Sequence, residues 1–226
     1  MNGSKCYQHS VGSKSTLPNN QNITTLHAYG CQTTCDRLLD EKQFPLETIL
    51  HTLELQSSPA ELKKELSVQV PLGTSHGRKL TIHTDRELDR PLPGQPWCFD
   101  VVGVNRFCWT SGKTTIHYRI GDQGSDDLLY FWFMHIFLPL YFTLEGYYIF
   151  LHAGAVEVDG KIILFIAPSM GGKSTLTDYF IKQGHTLVSD DKVATYLQDG
   201  KYFAVPSHPY HRPYREYEKL GHRVTH

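Results

Sequence analysis

The chain has 226 residues, a formal net charge of −1, and 40% hydrophobic, 12% aromatic and 20% charged residues. That length suits one domain, or one and a half, with enough chain for a core, and the near-neutral balance excludes a strongly basic nucleic-acid binder and an acidic tail protein. Five cysteines without a repeating spacing argue against a secreted disulfide framework and predict reduced thiols in a cytoplasmic protein.

Residues 1–30 begin MNGSKCYQHSVGSKST, with Lys5 and Lys14 as the only formal charges. They lack the apolar stretch of a signal peptide and read as a flexible tail. Residues 31–96 read as a helical and loop region. Leu46, Ile49, Leu50, Leu53 and Leu55 predict a short amphipathic helix, and Pro59 opens a possible second. His27, Cys31 and Cys35 stand at four-residue intervals but lack an evident fourth ligand, so zinc is not expected. Pro91, Pro93, Gly94 and Pro96 then break the pattern.

From Trp97 the period becomes alternating. Three short strands are expected, at Trp97–Val104, Arg106–Thr110 and Thr114–Ile120, as the β-rich lead-in of a unit over 97–226. The run LLYFWFMHIFLPLYFTL, Leu128–Leu144, has nearly the length of a membrane span. His135 and Pro139 inside it, and the absence of flanking Lys or Arg, favour a buried helix under a sheet instead. The following YYIFL reads as a buried strand.

Residues 153–183 carry the chemistry. AGAVEV alternates as a strand, Asp159-Gly160 marks a hairpin, and KIILFI reads as a buried strand. Ala167, Pro168, Ser169, Met170, Gly171, Gly172, Lys173, Ser174 and Thr175 then match a phosphate-binding loop with alanine in the first glycine position. In such a loop backbone N–H groups form an anion nest, the lysine reaches the β and γ phosphates, and the serine hydroxyl ligates Mg²⁺. A look-alike, glycine-lysine-threonine within Ser111-Gly112-Lys113-Thr114, precedes an alternating segment and reads as a hairpin turn. After a helix ending near Gly184, the strand Thr186–Ser189 delivers Asp190 and Asp191, seventeen and eighteen positions past Lys173. A strand–loop–helix–strand crossover brings these carboxylates beside the loop, one to hold Mg²⁺ and one to take a hydroxyl proton. The pattern does not say which does which.

Taken together, LHAGAVEVDGKIILFIAPSMGGKSTL, GHTLVSDDKVA and VPSHP resemble the kinase domain of the HPr kinase/phosphorylase family, and more closely its shorter HPr-kinase-like relatives. The resemblance covers roughly residues 126–210 and implies an α/β fold (α+β with a mixed sheet), a P-loop kinase core of the HPr kinase/PEP carboxykinase-like type behind a small β-rich segment. It implies ATP and Mg²⁺ as cofactors and phosphoryl transfer to a serine-bearing acceptor, protein or small molecule. Asp190, Asp191, His152 and Lys173 would be the catalytic residues, with Ser174, Asp190 and Asp191 on the metal. Thr175 stands where true HPr kinases carry glutamate, which weakens the case for phosphorylase activity. The family's domain continues past VPSHP, whereas this sequence stops at His226. No nucleic-acid partner and no membrane span are expected, and homo-oligomerisation stays open. The rival readings are another P-loop NTPase and a catalytically incomplete nucleotide-binding or regulatory module.

Overall fold

A computed structural model describes residues 23–39, 48–58, 66–86, 92–207, 210–211 and 222–223. Its strands are β1 (Thr24–Ala28), β2 (Cys31–Cys35), β3 (His51–Ser57), β4 (Val68–Ser75), β5 (Arg78–Thr84), β6 (Pro96–Val101), β7 (Asn105–Thr110) and β8 (Thr115–Ile120). These eight form one mixed sheet in the order β1-β2-β3-β8-β7-β6-β5-β4. The pairs β2/β3 and β3/β8 are parallel and the others antiparallel.

Chain continues as α1 (Asp126–Trp132), a π turn (Phe133–Phe137) and α2 (Leu138–Leu144). Then come β9 (Ile149–Leu151), β10 (Ala153–Val158), β11 (Lys161–Ile166), α3 (Lys173–Lys182), β12 (Thr186–Ser189), β13 (Val193–Gln198) and β14 (Lys201–Val205). A two-residue pair, β15 (Tyr210–His211) with β16 (His222–Arg223), completes the elements. Two further three-stranded sheets have the orders β11-β10-β12 and β14-β13-β9.

This overturns the expected α/β kinase core. Among the described residues the structure is mostly β, 48% strand against 18% helix, and an eight-stranded mixed sheet dominates it. The reason lies upstream of Trp97, where a strand stands in place of the helix expected at 46–55 and further strands join the 97–120 hairpins in one sheet. Leu53 and Leu55 alternate inward from β3 with their neighbours exposed, a period of two rather than of a helix. Thr24, Leu26 and Ala28 on β1, and Cys31, Thr33 and Cys35 on β2, also alternate inward, with half-buried residues between them. The sequence 24–30, read as tail, is therefore part of the sheet. The possible second helix at Pro59 lies outside the described residues.

The three strands expected between Trp97 and Ile120 are present as β6, β7 and β8. Within them Cys98 and Cys108 stand directly opposite and form a disulfide, with Cα atoms 4.1 Å apart. A cysteine count cannot anticipate such a local pairing, and it departs from the expected reduced thiols.

Helix α1 starts where Ser125 accepts a hydrogen bond from Leu128 N (3.2 Å) and Asp126 and Asp127 occupy the first turn, both favourable at a helix N-terminus. The 19-residue segment Asp126–Leu144 is long and apolar enough to cross a membrane by length and composition, with 56% of its apolar window buried inside the protein. Its rings pack on the large sheet: Phe137 stacks on Phe107 at 4.7 Å and meets Trp109 edge-on at 5.4 Å. Phe133, Phe137 and Phe142 are fully buried, and each such side chain contributes about 2–3 kcal/mol by leaving water.

The carboxylate of Glu145, just beyond α2, pins the β7–β8 turn. It accepts from Trp109 Nε1, Ser111 Oγ and Gly112 N, each at 3.0 Å. The glycine-lysine-threonine at 112–114 is thus a hairpin turn, as its sequence predicts. Glu145→Ala would strand the buried Trp109 and Ser111 donors and is expected to lower stability by about 2 kcal/mol. Urea unfolding checks this; an unchanged midpoint would contradict the pinning role.

Candidate functional site

The loop 167–172 joins the edge strand β11 to α3. β11 and β12 both pair antiparallel with β10, so they run the same way with β10 between them. The expected strand–loop–helix–strand crossover therefore exists locally, inside a small antiparallel sheet. The expectation that KIILFI is buried is wrong. β11 lies at the edge of its sheet, with Ile162, Ile163 and Ile166 exposed by 39%, 37% and 68%. Continuous apolar sequence does not tell an edge strand from a central one.

The loop closes tightly on itself. Gly171 N donates to Pro168 O (3.0 Å), and a Cβ on Gly171 would meet Ala167 Cβ at 2.7 Å and Pro168 O at 2.8 Å. Gly172, the residue before α3, has φ +85°, a conformation that suits glycine. Gly154 on β10 lets α3 approach, since a Cβ there would stand 2.2 Å from Thr177 Oγ1. Gly154→Val should push α3 and the loop off the sheet. A lowered melting temperature is expected, and an unchanged one would refute this packing argument.

Lys173 is buried, and its ammonium donates to Ala167 O (2.9 Å) and Pro168 O (3.1 Å). Ser174 Oγ donates to Asp190 Oδ1 at 3.2 Å. The start of α3 and the end of β12 are thus joined by the two residue types that would share a cation. Pro168, Ser169 and Met170 are exposed at the loop's outer edge, and Thr175 is exposed on α3.

A second pair of strands brings His152 to the other aspartate. Leu151 on β9 lies opposite Val193 on β13, and Ala155 on β10 opposite Ser189 on β12. His152 and the segment 190–192 are therefore side by side where both chains pass from one sheet to the next. His152 Nδ1 lies 3.0 Å from Asp191 Oδ1 and 3.0 Å from Asp191 O. Asp191 itself has φ +81°. Aspartate tolerates that left-handed conformation better than most residues, and such positions gather at functional sites.

Sequence reasoning leaves the two carboxylates interchangeable; the structure separates them. Asp190 turns to the loop serine and Asp191 to His152. With Ser174, Asp190 and Asp191, the side chains of Tyr29, His76, Phe131, His135, Ile136, Lys192 and Ser207 line a cavity of about 310 Å³. Burial, and then the charge of Asp191, raise the Tyr29 phenol above its ordinary pKa. Ser189 Oγ donates to Lys192 O (2.6 Å) and shares a hydrogen bond with Ser207 Oγ (2.8 Å). The VPSHP segment thereby reaches the site through Ser207; His208 lies outside the described residues.

No family model, curated protein or solved structure matches the chain.

The residues present fit Mg²⁺. Ser174 and Asp190 offer hard oxygen donors 3.2 Å apart, and this ion prefers oxygen and keeps several waters. Among the described residues no three His, Cys, Asp or Glu side chains form a metal cluster, so a cation here would lean on phosphate and water. His27, Cys31 and Cys35 sit on a β-hairpin.

Sequence reasoning missed Lys192 and the cavity wall. Lys192 adjoins Asp191, which was the available signal. Its ammonium donates to His135 O in the π turn. Pro139 stands four residues after His135 and has no N–H to give that carbonyl. Burial pushes the Lys192 ammonium below its ordinary pKa, with Asp191 opposing.

Proposed function

We propose that the chain binds Mg·ATP at residues 167–175 and transfers the γ-phosphoryl group to a serine-type hydroxyl, as its resemblance to HPr-kinase-like proteins implies. The observation that carries this reading is the Ser174–Asp190 hydrogen bond at the foot of the loop. It joins the hydroxyl and carboxylate through which phosphate loops commonly hold their cation. Lys173 would leave the loop carbonyls for the β and γ phosphates, and the N-terminus of the ten-residue α3 favours anions there. Ser174 and Asp190 would hold Mg²⁺, which when bound would offset the phosphate charge.

In the proposed step the acceptor hydroxyl oxygen bonds to the γ phosphorus. The bond from that phosphorus to the β–γ bridging oxygen breaks, its electron pair leaving with ADP. The hydroxyl proton passes to Asp191, the carboxylate not bonded to the loop serine, while His152 holds Asp191 in place.

Incubation with Mg·ATP, read by mass spectrometry for phosphate on added hydroxyl compounds or co-expressed proteins, tests this reading. Phosphorylated acceptor with matching ADP supports it. ADP with free phosphate alone points to an NTPase, and binding without turnover to a regulatory module; either result rejects the kinase.

A further inference from the structure

Resting on that kinase reading, we propose that the cavity between the Asp190–Lys192 segment and the π turn is the acceptor subsite, and that its acceptor is a small hydroxy acid. The acceptor's hydroxyl faces Asp191 and its carboxylate faces Lys192.

Three observations on the geometry carry this. First, the cavity joins the loop to the large sheet. Ser174, Asp190 and Asp191 line it together with Tyr29 from the β1–β2 turn, His76 from the β4–β5 turn, and Phe131, His135 and Ile136 from the helical segment. At about 310 Å³ it has the size of a compact small-molecule site.

Second, the half-buried Lys192 ammonium lines this cavity, and no described carboxylate lies within 4.0 Å of it. It donates to the His135 carbonyl, which engages one of its three N–H donors. A partly desolvated ammonium held by a neutral acceptor favours an anionic ligand. The phosphate loop already has its own lysine, Lys173, turned to the loop. Lys192 is instead tied to the opposite wall, beside Phe131 and Ile136, where an acceptor rather than a nucleotide would lie.

Third, the wall is packed ring against ring. Phe131 meets His76 edge-on at 5.0 Å and lies tilted against His135 at 5.2 Å. The π turn, which offers the His135 carbonyl, is a local irregularity of the kind that often marks functional sites. A protein-borne serine presents amides rather than a carboxylate beside its hydroxyl, so a free hydroxy acid fits the charge better.

The test measures Mg·ATP-dependent phosphorylation of L-serine and D-glycerate against L-serinamide and a serine-containing peptide, by ³¹P NMR and ADP release. ATP affinity is measured separately by calorimetry without an acceptor. At least one acid is expected to be phosphorylated, with the neutral compounds at least about 30-fold poorer in kcat/KM, roughly the worth of one charge-assisted hydrogen bond. Lys192→Met should raise the acid's KM by a similar factor, leave the KM for ATP unchanged, and abolish discrimination against serinamide. Lys192→Arg, which keeps the charge, should retain most of that discrimination, and thermal melts establish that each variant is folded.

Equal use of acid and amide, preference for the peptide, or a Lys192→Met defect in ATP affinity alone would overturn the acceptor assignment. ATP binding with no acid phosphorylated would also overturn it while leaving nucleotide binding intact. Failure of the wild-type chain to bind ATP would remove the kinase reading and this assignment together.

Discussion

Lys173→Ala is expected to reduce Mg·ATP affinity by at least about 100-fold and to remove any ATP turnover. In the proposed complex its ammonium neutralises the β and γ phosphates, and charge-assisted hydrogen bonds of this kind contribute about 1.5–3 kcal/mol each. The buried Lys173 also donates to Ala167 O and Pro168 O, so its loss releases the loop as well as the phosphates. Lys173→Arg keeps the charge but places a wider, forked group in a loop already closed by the Gly171–Pro168 bond. It should be nearly as defective. Equilibrium binding of a fluorescent ATP analogue measures both, with circular dichroism showing that the fold is kept. Wild-type affinity in Lys173→Ala would remove this loop from nucleotide binding.

The second large effect separates the two aspartates. Asp190→Asn should weaken the Mg²⁺ dependence of ATP binding, because the carboxylate that Ser174 reaches at 3.2 Å becomes a neutral amide with little hold on a hard cation. Asp191→Asn should leave ATP affinity within about twofold of wild type and lower the transfer rate by about 100-fold or more, the usual worth of a positioned general base. His152→Ala should fall between, since His152 holds Asp191 at 3.0 Å. Calorimetry with and without Mg²⁺, alongside single-turnover rates, resolves the two roles. Identical phenotypes for the two aspartate variants would contradict the division of labour.

Much of the local structure was legible because its signals are short-range. The hairpins between Trp97 and Ile120 alternate and turn at polar or glycine residues. The buried helix announces itself through the aromatic density of 128–144, and the loop through glycines with a strand before and a helix after. The fold class was not legible, for identifiable reasons. β1 and β2 alternate, but their inward residues include Thr24, Thr33 and two cysteines, which do not read as a hydrophobic face. Leu53 and Leu55 look helical only when grouped with Leu46, Ile49 and Leu50. Of these, Ile49 and Leu50 are exposed, and Leu46 lies outside the described residues. The parallel pairing of β3 with β8 joins Glu54 to Thr115 and Ser57 to Tyr118, a long-range contact that periodicity does not encode.

The site divides the same way. Ala167 to Thr175 form a consecutive motif, and Asp190 and Asp191 follow one crossover later, so their proximity could be argued from connection rules. The resemblance singles out His152, but its place beside Asp191 follows from the β9–β13 and β10–β12 registers, which only the folded chain supplies. Lys192 required more: a proline at 139 that offers no N–H to the His135 carbonyl, and a tertiary approach across 57 residues of chain. An isolated lysine beside two aspartates reads as a solvated charge until that approach is seen.

The most direct measurement of the central claim is an amide NMR titration of the full chain with Mg·ATP, assigned through the loop. The account predicts that the backbone resonances of Gly171, Gly172, Lys173, Ser174 and Thr175 shift together with one dissociation constant, that Asp190 follows, and that Lys173→Ala abolishes these shifts. Saturating Mg·ATP that leaves those resonances unmoved, or that moves only residues of the eight-stranded sheet, would contradict it.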